Sequence, residues 1–198
     1  MQSVEDKVIR SIRAKKNASV FSSKHFSDFG SSTTVSKALS SLANNGKIKR
    51  LIHGLYYLPR KHPILGETTP DVMEVIQGIL EGSSAIWQVS GAYATNLLGL
   101  STQVPAKVVV LTDGVSKKIR IENLTIDFRH ASPKNMLGAG NPEGTIIQAI
   151  RYLKKDGITP SIISHLQKSI DKQTKKRLKA IIPDLAQWMQ PILKEICN

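Results

Sequence analysis

Residues 31–59, SSTTVSKALSSLANNGKIKRLIHGLYYLP, decide the fold expected for the first part of this chain. They predict a helix, a tight turn and a short basic hairpin, in that order. Apolar residues recur at spacings of three and four from Thr33 to Asn45, which places them on one face of a helix. Ser31 or Ser32 is suited to cap the start of this helix, and Asn45-Gly46 ends it and begins the turn.

The opposite face of this helix carries hydroxyls, one amide and one lysine, and it has no acid. A helix face that is merely solvated usually mixes Glu and Lys, which pair along the helix. Short polar side chains without acids can instead lie close to the phosphates and base edges of DNA. We therefore predict DNA contacts by Ser32, Thr33, Thr34, Ser36, Lys37, Ser40, Ser41 and Asn44.

The hairpin that follows is basic. Lys47–Leu51 predicts its first strand, His53-Gly54 its tip and Leu55–Leu58 its second strand. Tyr56 or Tyr57 is expected either to pack on the domain or to donate a hydrogen bond to a phosphate. The predicted DNA-binding residues of the hairpin are Lys47, Lys49, Arg50, His53 and Tyr56. The alternative is a structural helix followed by an ordinary hairpin.

Two helical segments upstream complete a known motif. Val4, Val8 and Ile12 recur at intervals of four and predict a first helix. Ser22 or Ser23 is suited to cap a second helix that runs to Phe29, in which we interpret His25 as a histidine at the edge of the core rather than a ligand. Helices followed by a basic hairpin are typical of a winged helix-turn-helix domain, which we predict over residues 1–62.

The remainder of the chain predicts an α+β domain. Residues 63–69 contain Pro63 and Gly66 without periodicity and are predicted to be a linker. Thr69-Pro70-Asp71 has the composition of a helix start, so the second domain is expected to span residues 70–198. We predict a small antiparallel sheet, with a meander of three strands at 107–112, 118–121 and 124–130, and a helical C-terminal region at 143–155, 160–169 and 174–196, broken by Pro183 and Pro191. The predicted fold class is therefore α+β, with an N-terminal winged helix-turn-helix.

Charge and composition agree with nucleic-acid binding. The formal net charge is +13, and residues 1–62 hold 12 Lys/Arg against 3 Asp/Glu. A basic segment of this kind has the electrostatic properties of a nucleic-acid binder. Cys197 is the single cysteine, which excludes an internal disulfide and a Cys-based zinc site. No apolar run approaches the length of a membrane span, and the first residues lack the apolar segment of a signal peptide, so we expect a cytoplasmic protein with no membrane partner and no cofactor.

A long run in the second domain resembles a known family. Residues 90–107, SGAYATNLLGLSTQVPAK, are followed by Leu111-Thr112-Asp113-Gly114, and the hairpin ends in GLYYLP at residues 54–59. These motifs are similar to those of AbiEi-type antitoxin-like transcriptional regulators, the DUF6088 group, in which a winged helix precedes an α+β domain. The resemblance covers roughly residues 1–155.

The resemblance implies a DNA-binding repressor that acts as the antitoxin of a type IV toxin–antitoxin system. Such a protein binds double-stranded DNA at its own promoter and counteracts a nucleotidyltransferase-like toxin without forming a stable complex with it. The DNA-binding role falls on the helix and hairpin described above, and no catalytic residue is implied. Repressors often bind paired half-sites, which makes a dimer on DNA compatible with this interpretation.

Two other functions compete with this expectation. Asp113, Glu122 and Asp127 with Lys118 are residue types found in a metal-dependent nuclease, which needs two or three acids around one cation. Turn positions explain Asp113 and Glu122 without catalysis, so we expect no enzyme activity and no metal site. A protein-interaction module that uses the winged helix as a scaffold is the other alternative. The basic segment Lys168–Lys179 is either a solvated helix face or a second contact surface.

Overall fold

The computed structural model describes residues 3–14, 20–64 and 66–198. The fold is mixed α+β, with eight α-helices and nine strands in the described residues. The chain divides into two compact units, Met1–Ser84 and Ala85–Asn198.

The first unit begins with three helical segments around one apolar core. They are α1 (Val4–Ala14), a 3₁₀ helix (Ser23–Phe29) and α2 (Ser32–Asn44). Ser22 caps the 3₁₀ helix, as predicted, and Gly30 ends it. The apolar faces of these helices meet in a shared cluster of buried residues, which comprises Val8, Ile12, Phe21, Phe26, Val35, Leu39, Leu42, Ile48 and Tyr56.

A three-stranded antiparallel sheet completes this core. Its strands are β1 (Val20–Ser22), β2 (Lys49–Ile52) and β3 (Leu55–Tyr57), in the order β1-β3-β2. The β2–β3 hairpin turns at His53-Gly54, where Gly54 has a φ of 77° that favours glycine. The hairpin predicted from the sequence is therefore confirmed, although β2 begins two residues later than predicted because Lys47 and Ile48 still bond back to the end of α2.

The predicted linker at residues 63–69 is wrong. Its place is taken by a second hairpin formed by β4 (Arg60–His62) and β5 (Gly66–Thr68). Strands of three residues are too short to show an alternation of apolar and polar residues, so the sequence did not predict them.

The helix α3 (Val72–Leu80) belongs to the first unit, whereas the sequence assigned it to the second. Gly78 faces β1 so closely that a β-carbon there would come within 2.9 Å of the Cβ atom of Val20. This packing depends on a glycine in the middle of an apolar helix, and periodicity alone does not reveal such a contact. The division between the units therefore falls after Ser84 rather than at residues 63–69.

The second unit contains a four-stranded sheet. Its strands are β6 (Trp87–Ser90), β7 (Lys107–Thr112), β8 (Lys117–Ile121) and β9 (Leu124–His130), and the short helix α4 (Ala92–Leu97) joins β6 to β7.

The sheet is mixed, so the predicted antiparallel meander is wrong. The strand order is β6-β7-β9-β8, and β7 pairs with β9 in parallel. The loop after β7 crosses the end of β9, where the amide of His130 donates to the Ser116 hydroxyl at 2.8 Å and the amide of Ala131 donates to the Thr112 carbonyl at 2.9 Å. These bonds hold β8 on the far side of β9, where it forms a hairpin with that strand.

Four helices complete the second unit: α5 (Pro142–Leu153), α6 (Pro160–Ser169), α7 (Lys172–Ile181) and α8 (Met189–Ile196). They enclose a second cluster that includes Ile147, Leu166 and Leu178. Pro183 interrupts the helical region as predicted. Pro191 does not, because it lies in the first turn of α8, where its missing amide hydrogen is not needed.

Candidate nucleic-acid interface

The helix α2 is oriented by its cap and by its apolar face. The Ser31 hydroxyl accepts a hydrogen bond from the amide of Thr34 at 3.2 Å and fixes where the helix begins. Val35, Leu39 and Leu42 are fully buried in the first cluster. Because these residues point inward, the polar face of α2 is turned outward.

That outward face borders a shallow depression of about 540 Å³ that is largely open to solvent, which we call the α2 groove. Six of the eight predicted DNA-binding residues of the helix line it, together with Asn45: Thr33, Ser36, Lys37, Ser40, Ser41 and Asn44. The remaining two, Ser32 and Thr34, are exposed at the start of the helix, where the Thr34 hydroxyl lies 2.8 Å from that of Ser31. The sequence contains no acid between Asp28 and Glu67, and the residues that line this groove are neutral polar residues and one lysine.

Arg50 joins the hairpin to this helix. One of its terminal nitrogens lies 3.4 Å from the Ser40 hydroxyl and 3.4 Å from the Tyr56 hydroxyl, and these two hydroxyls are 3.2 Å apart. The guanidinium also sits over the Tyr56 ring, 5.4 Å from its centroid. Arg50 is exposed while Tyr56 is only 4% exposed. The structure therefore places the tyrosine ring in the core, and its hydroxyl holds a surface arginine against the groove.

Two other cations of the hairpin region meet acids that the sequence did not associate with them. The Lys49 ammonium lies 2.6 Å from a carboxylate oxygen of Glu67, and this hydrogen bond raises the pKa of Lys49. Lys47 lies 3.9 Å from the carboxylate of Glu5. His53 is exposed at the hairpin tip. Glu67 lies on β5, inside the segment predicted to be a linker, so its approach to Lys49 arises only from the second hairpin.

Comparison with protein families matches residues 7–178 to the family of unknown function DUF6088. The chain belongs to the DUF6088 family. No curated protein matches it. A crystal structure of the RV2827C protein from Mycobacterium tuberculosis aligns with a TM-score of 0.47 and 12% sequence identity, over 98% of this chain and 77% of that chain. Values this low carry no inference about function.

In this DUF6088 chain, His25 has the role expected of a histidine at the edge of the core. Its Nδ1 accepts a hydrogen bond from the amide of Ser22 at 3.1 Å, and its Nε2 meets the carboxylate of Glu81. The His25 side chain is 3% exposed. The acid follows α3 and is far from His25 in sequence, so sequence spacing could not reveal it.

Two of the three acids considered for a nuclease, Asp113 and Asp127, are engaged in structural contacts. Asp113 accepts a hydrogen bond from the amide of Ile86 at 2.9 Å. Asp127 is bound by Arg129 at 2.8 Å and Lys107 at 3.3 Å, and the Arg129 hydrogen bond is the main reason that the pKa of Asp127 is lowered. Across residues 3–14, 20–64 and 66–198, no group of three or more His, Cys, Asp or Glu residues could hold a metal ion.

The run that carried the family resemblance is organised around one amide. Asn96 donates from Nδ2 to the carbonyl oxygens of Ser101 and Gln103, at 3.1 Å each, and so shapes the loop between α4 and β7. Val104 in this loop is 74% exposed.

No helix in the described part of the chain is long and apolar enough to cross a membrane.

Proposed function

We propose that the first unit is a winged helix-turn-helix domain that binds double-stranded DNA. In this proposal α2 is the recognition helix and the β2–β3 hairpin is the wing. The observation that carries the proposal is the acid-free groove on α2, against which Arg50 is held by Ser40 and Tyr56. A groove of this composition is suited to DNA because its donors meet phosphates and base edges without repulsion.

The side chains of the groove divide into two roles. Ser, Thr and Asn side chains are short and can both donate and accept, so those of Ser36, Ser40 and Asn44 suit base edges in a major groove. Lys37 and Arg50 suit phosphates, and the planar fork of Arg50 can also contact guanine in a bidentate way. The wing would supply Lys49 and His53 to the sugar-phosphate backbone, and the turn before it would supply Lys47.

We further propose that the protein is a cytoplasmic transcriptional repressor that acts as the antitoxin of a type IV toxin–antitoxin pair. The support is the SGAYATNLLGLSTQVPAK run and the winged-helix-like first unit, which are similar to those of AbiEi-type regulators. The proposed partner is a nucleotidyltransferase-like toxin, which is counteracted without a stable complex. The protein would regulate its own operon through the first unit, and the second unit would carry the antitoxin activity.

The DNA-binding proposal is tested by titrating the purified protein against its own promoter and against a random duplex of equal length. We expect preference for the promoter and an affinity that falls steeply with salt. The variant Lys37→Ala/Lys49→Ala/Arg50→Ala should bind the promoter at least about tenfold more weakly. The control Lys118→Ala/Lys134→Ala/Lys155→Ala removes the same charge from exposed positions of the second unit and should bind normally. Equal affinity of the wild type for both duplexes would refute sequence-specific repression.

The antitoxin proposal is tested in cells. Co-expression of this protein with a nucleotidyltransferase-like protein from the adjacent gene should restore growth that the nucleotidyltransferase-like protein arrests when expressed alone. Affinity purification of either protein should not retain the other. Failure to restore growth, or retention of a stoichiometric complex, would contradict a type IV antitoxin and favour the interaction-module alternative.

A further inference from the structure

Three cations of the second unit are paired with acids. Lys107 and Arg129 are paired with Asp127, and Arg177 is paired with Glu143, whose carboxylate accepts from the arginine at 2.6 Å and 3.2 Å. The four lysines of α7 have no ion pair among the residues that the structure describes. Exposed lysines elsewhere in the unit, such as Lys118, Lys134 and Lys155, also have none there, but those of α7 are clustered on one helix.

Three of the four lysines of α7 share one exposed side of the helix. Lys172, Lys176 and Lys179 lie at intervals of four and three, which places them on one helical face, and all three are exposed. We call these three residues the α7 lysine face. The opposite side of the helix is buried through Thr174 and Leu178. The lysines therefore point directly away from the core of the unit.

The acid nearest to this face in sequence is held at the start of the helix. The sequence has no Asp or Glu between Asp171 and Asp184. The Asp171 carboxylate caps α7, where it accepts from the amides of Gln173 and Thr174 at 2.9 Å each and from the Thr174 hydroxyl at 2.6 Å. These hydrogen bonds lower the pKa of Asp171 and keep its charge at the helix start rather than among the lysines.

The formal charge of the two units supports a second surface that contacts an anionic partner. With four acids of residues 63–84 assigned to the first unit, that unit holds 12 Lys/Arg and 7 Asp/Glu. The second unit holds 16 Lys/Arg and 8 Asp/Glu, and is therefore the more basic of the two. The formal net charge of the second unit is +8. The proposed recognition helix lies in the first unit and does not account for this charge.

We propose that the α7 lysine face binds the phosphate backbone of double-stranded DNA without reading its sequence. The proposal rests on the DNA-binding function of the first unit and adds a second contact surface to it. At about 1.5 Å per residue, the three lysines span about 10 Å, which is about three phosphate steps of 3.4 Å along the duplex axis.

The composition of the face favours duplex DNA over other anionic partners. Protein interfaces are depleted of lysine and have an apolar or aromatic centre, whereas α7 exposes no large apolar side chain. Single-stranded nucleic acids are usually held by aromatic stacking, and the outward side of α7 has no aromatic residue. A membrane surface would require an apolar helix side, and that side of α7 is buried in the second cluster.

The test compares three full-length variants that each remove three positive charges. They are Lys172→Ala/Lys176→Ala/Lys179→Ala, the groove variant Lys37→Ala/Lys49→Ala/Arg50→Ala, and the dispersed control Lys118→Ala/Lys134→Ala/Lys155→Ala. Affinities for the promoter duplex, a random DNA duplex and an RNA duplex of the random sequence are measured over a range of salt concentrations. Thermal unfolding verifies that each variant is folded.

We expect the α7 variant to bind both DNA duplexes more weakly by the same factor, with unchanged preference for the promoter. Its salt slope should fall by about 0.9 for each phosphate that the variant no longer neutralises, whereas that of the control should not change. Wild-type affinity and slope in the α7 variant would overturn the inference, and so would weakened binding confined to RNA. If the wild type lacks promoter preference but the α7 variant still binds DNA more weakly and with a smaller slope, the repressor proposal fails while this inference stands.

Discussion

The outward faces of α2 and α7 both lack acids, yet they carry different side chains. Six of the residues predicted to contact DNA line the α2 groove. Five of them carry a hydroxyl or an amide, and the sixth is Lys37. The α7 lysine face consists of ammonium groups alone. A hydroxyl or amide both donates and accepts and can discriminate between bases, whereas an ammonium only donates and finds phosphates on any sequence. The α2 face is therefore suited to sequence-specific contacts with DNA. The α7 lysine face is suited to contacts that add affinity for any DNA sequence.

The two faces also differ in how they are supported. The α2 groove is joined to the hairpin by Ser40, Arg50 and Tyr56. On α7 the cation with an acidic partner among the described residues is Arg177, and it faces inward to Glu143. Arg50 is therefore held in place at the α2 groove, where a ligand can contact it. Arg177, the cation that is held in place on α7, instead stabilises the fold.

The largest effect should come from breaking that inward pair. Glu143 is 2% exposed, so Arg177→Met leaves a buried carboxylate unpaired and should lower the free energy of unfolding by about 3 kcal/mol. Glu143→Gln should cost less, because the Arg177 side chain is 39% exposed and can be solvated. Chemical denaturation measures both. A larger destabilisation in Glu143→Gln would show that the arginine, rather than the carboxylate, depends on the pair.

An acid on the outward face of α2 should have the next largest effect. Ser36→Glu places a negative charge in the α2 groove and should weaken promoter binding by about 100-fold, because a like charge against phosphates costs several kcal/mol.

The matched changes are Gln173→Glu on α7 and Gln77→Glu on α3, both at exposed positions. Gln173→Glu should weaken binding to all duplexes by a few-fold only, and Gln77→Glu should leave it unchanged. Equal weakening by Ser36→Glu and Gln173→Glu, measured by fluorescence anisotropy, would remove the distinction between the two faces.

Removal of the Tyr56 hydroxyl should have a smaller and more selective effect. Tyr56→Phe keeps the buried ring but takes one partner from Arg50, and should reduce promoter affinity by about fivefold, in the range of one hydrogen bond. Binding to a random duplex should change less, since phosphates do not require a fixed arginine. If affinity for both duplexes falls equally, Arg50 acts as a phosphate contact rather than as a positioned reader.

The smallest expected effect has the opposite sign. Glu67→Gln removes the carboxylate that pairs with Lys49 and should strengthen binding to both duplexes by about threefold, the scale of an exposed ion pair. Glu74→Gln is unsuitable as a control because Glu74 pairs with Arg60, so Asp156→Asn, an exposed acid of the second unit, is used. Unchanged or weaker binding by Glu67→Gln would show that this acid does not compete with DNA for Lys49.

Local patterns predicted the parts of the fold that are set by neighbours in sequence. The predicted cap of α2 was Ser31 or Ser32, and Ser31 caps the helix, which begins one residue before the predicted Thr33. The turn at Gly54 follows from its glycine, and β7 was predicted at 107–112 because Val108–Leu111 form an apolar run. Most groove residues were also predicted, since a helical period of 3.6 determines which side chains share a face.

Pairings between distant segments were beyond such patterns. The parallel register of β7 with β9 depends on a loop crossing that no alternation encodes. Likewise, Glu67 meets Lys49, Glu81 meets His25 and Glu143 meets Arg177 across separations that only packing closes.

The sequence by itself determined that this chain has a helix with an acid-free polar face, a basic hairpin after it and an excess of positive charge. Only the tertiary structure decided which of those charges are available to a partner. Helical period and turn chemistry act over a few residues and can be read directly. The neutralisation of a cation depends on which acid the packed chain brings within a few ångströms. Among the described residues, Lys49 and Arg177 form ion pairs with acids, whereas the three lysines of the α7 lysine face do not.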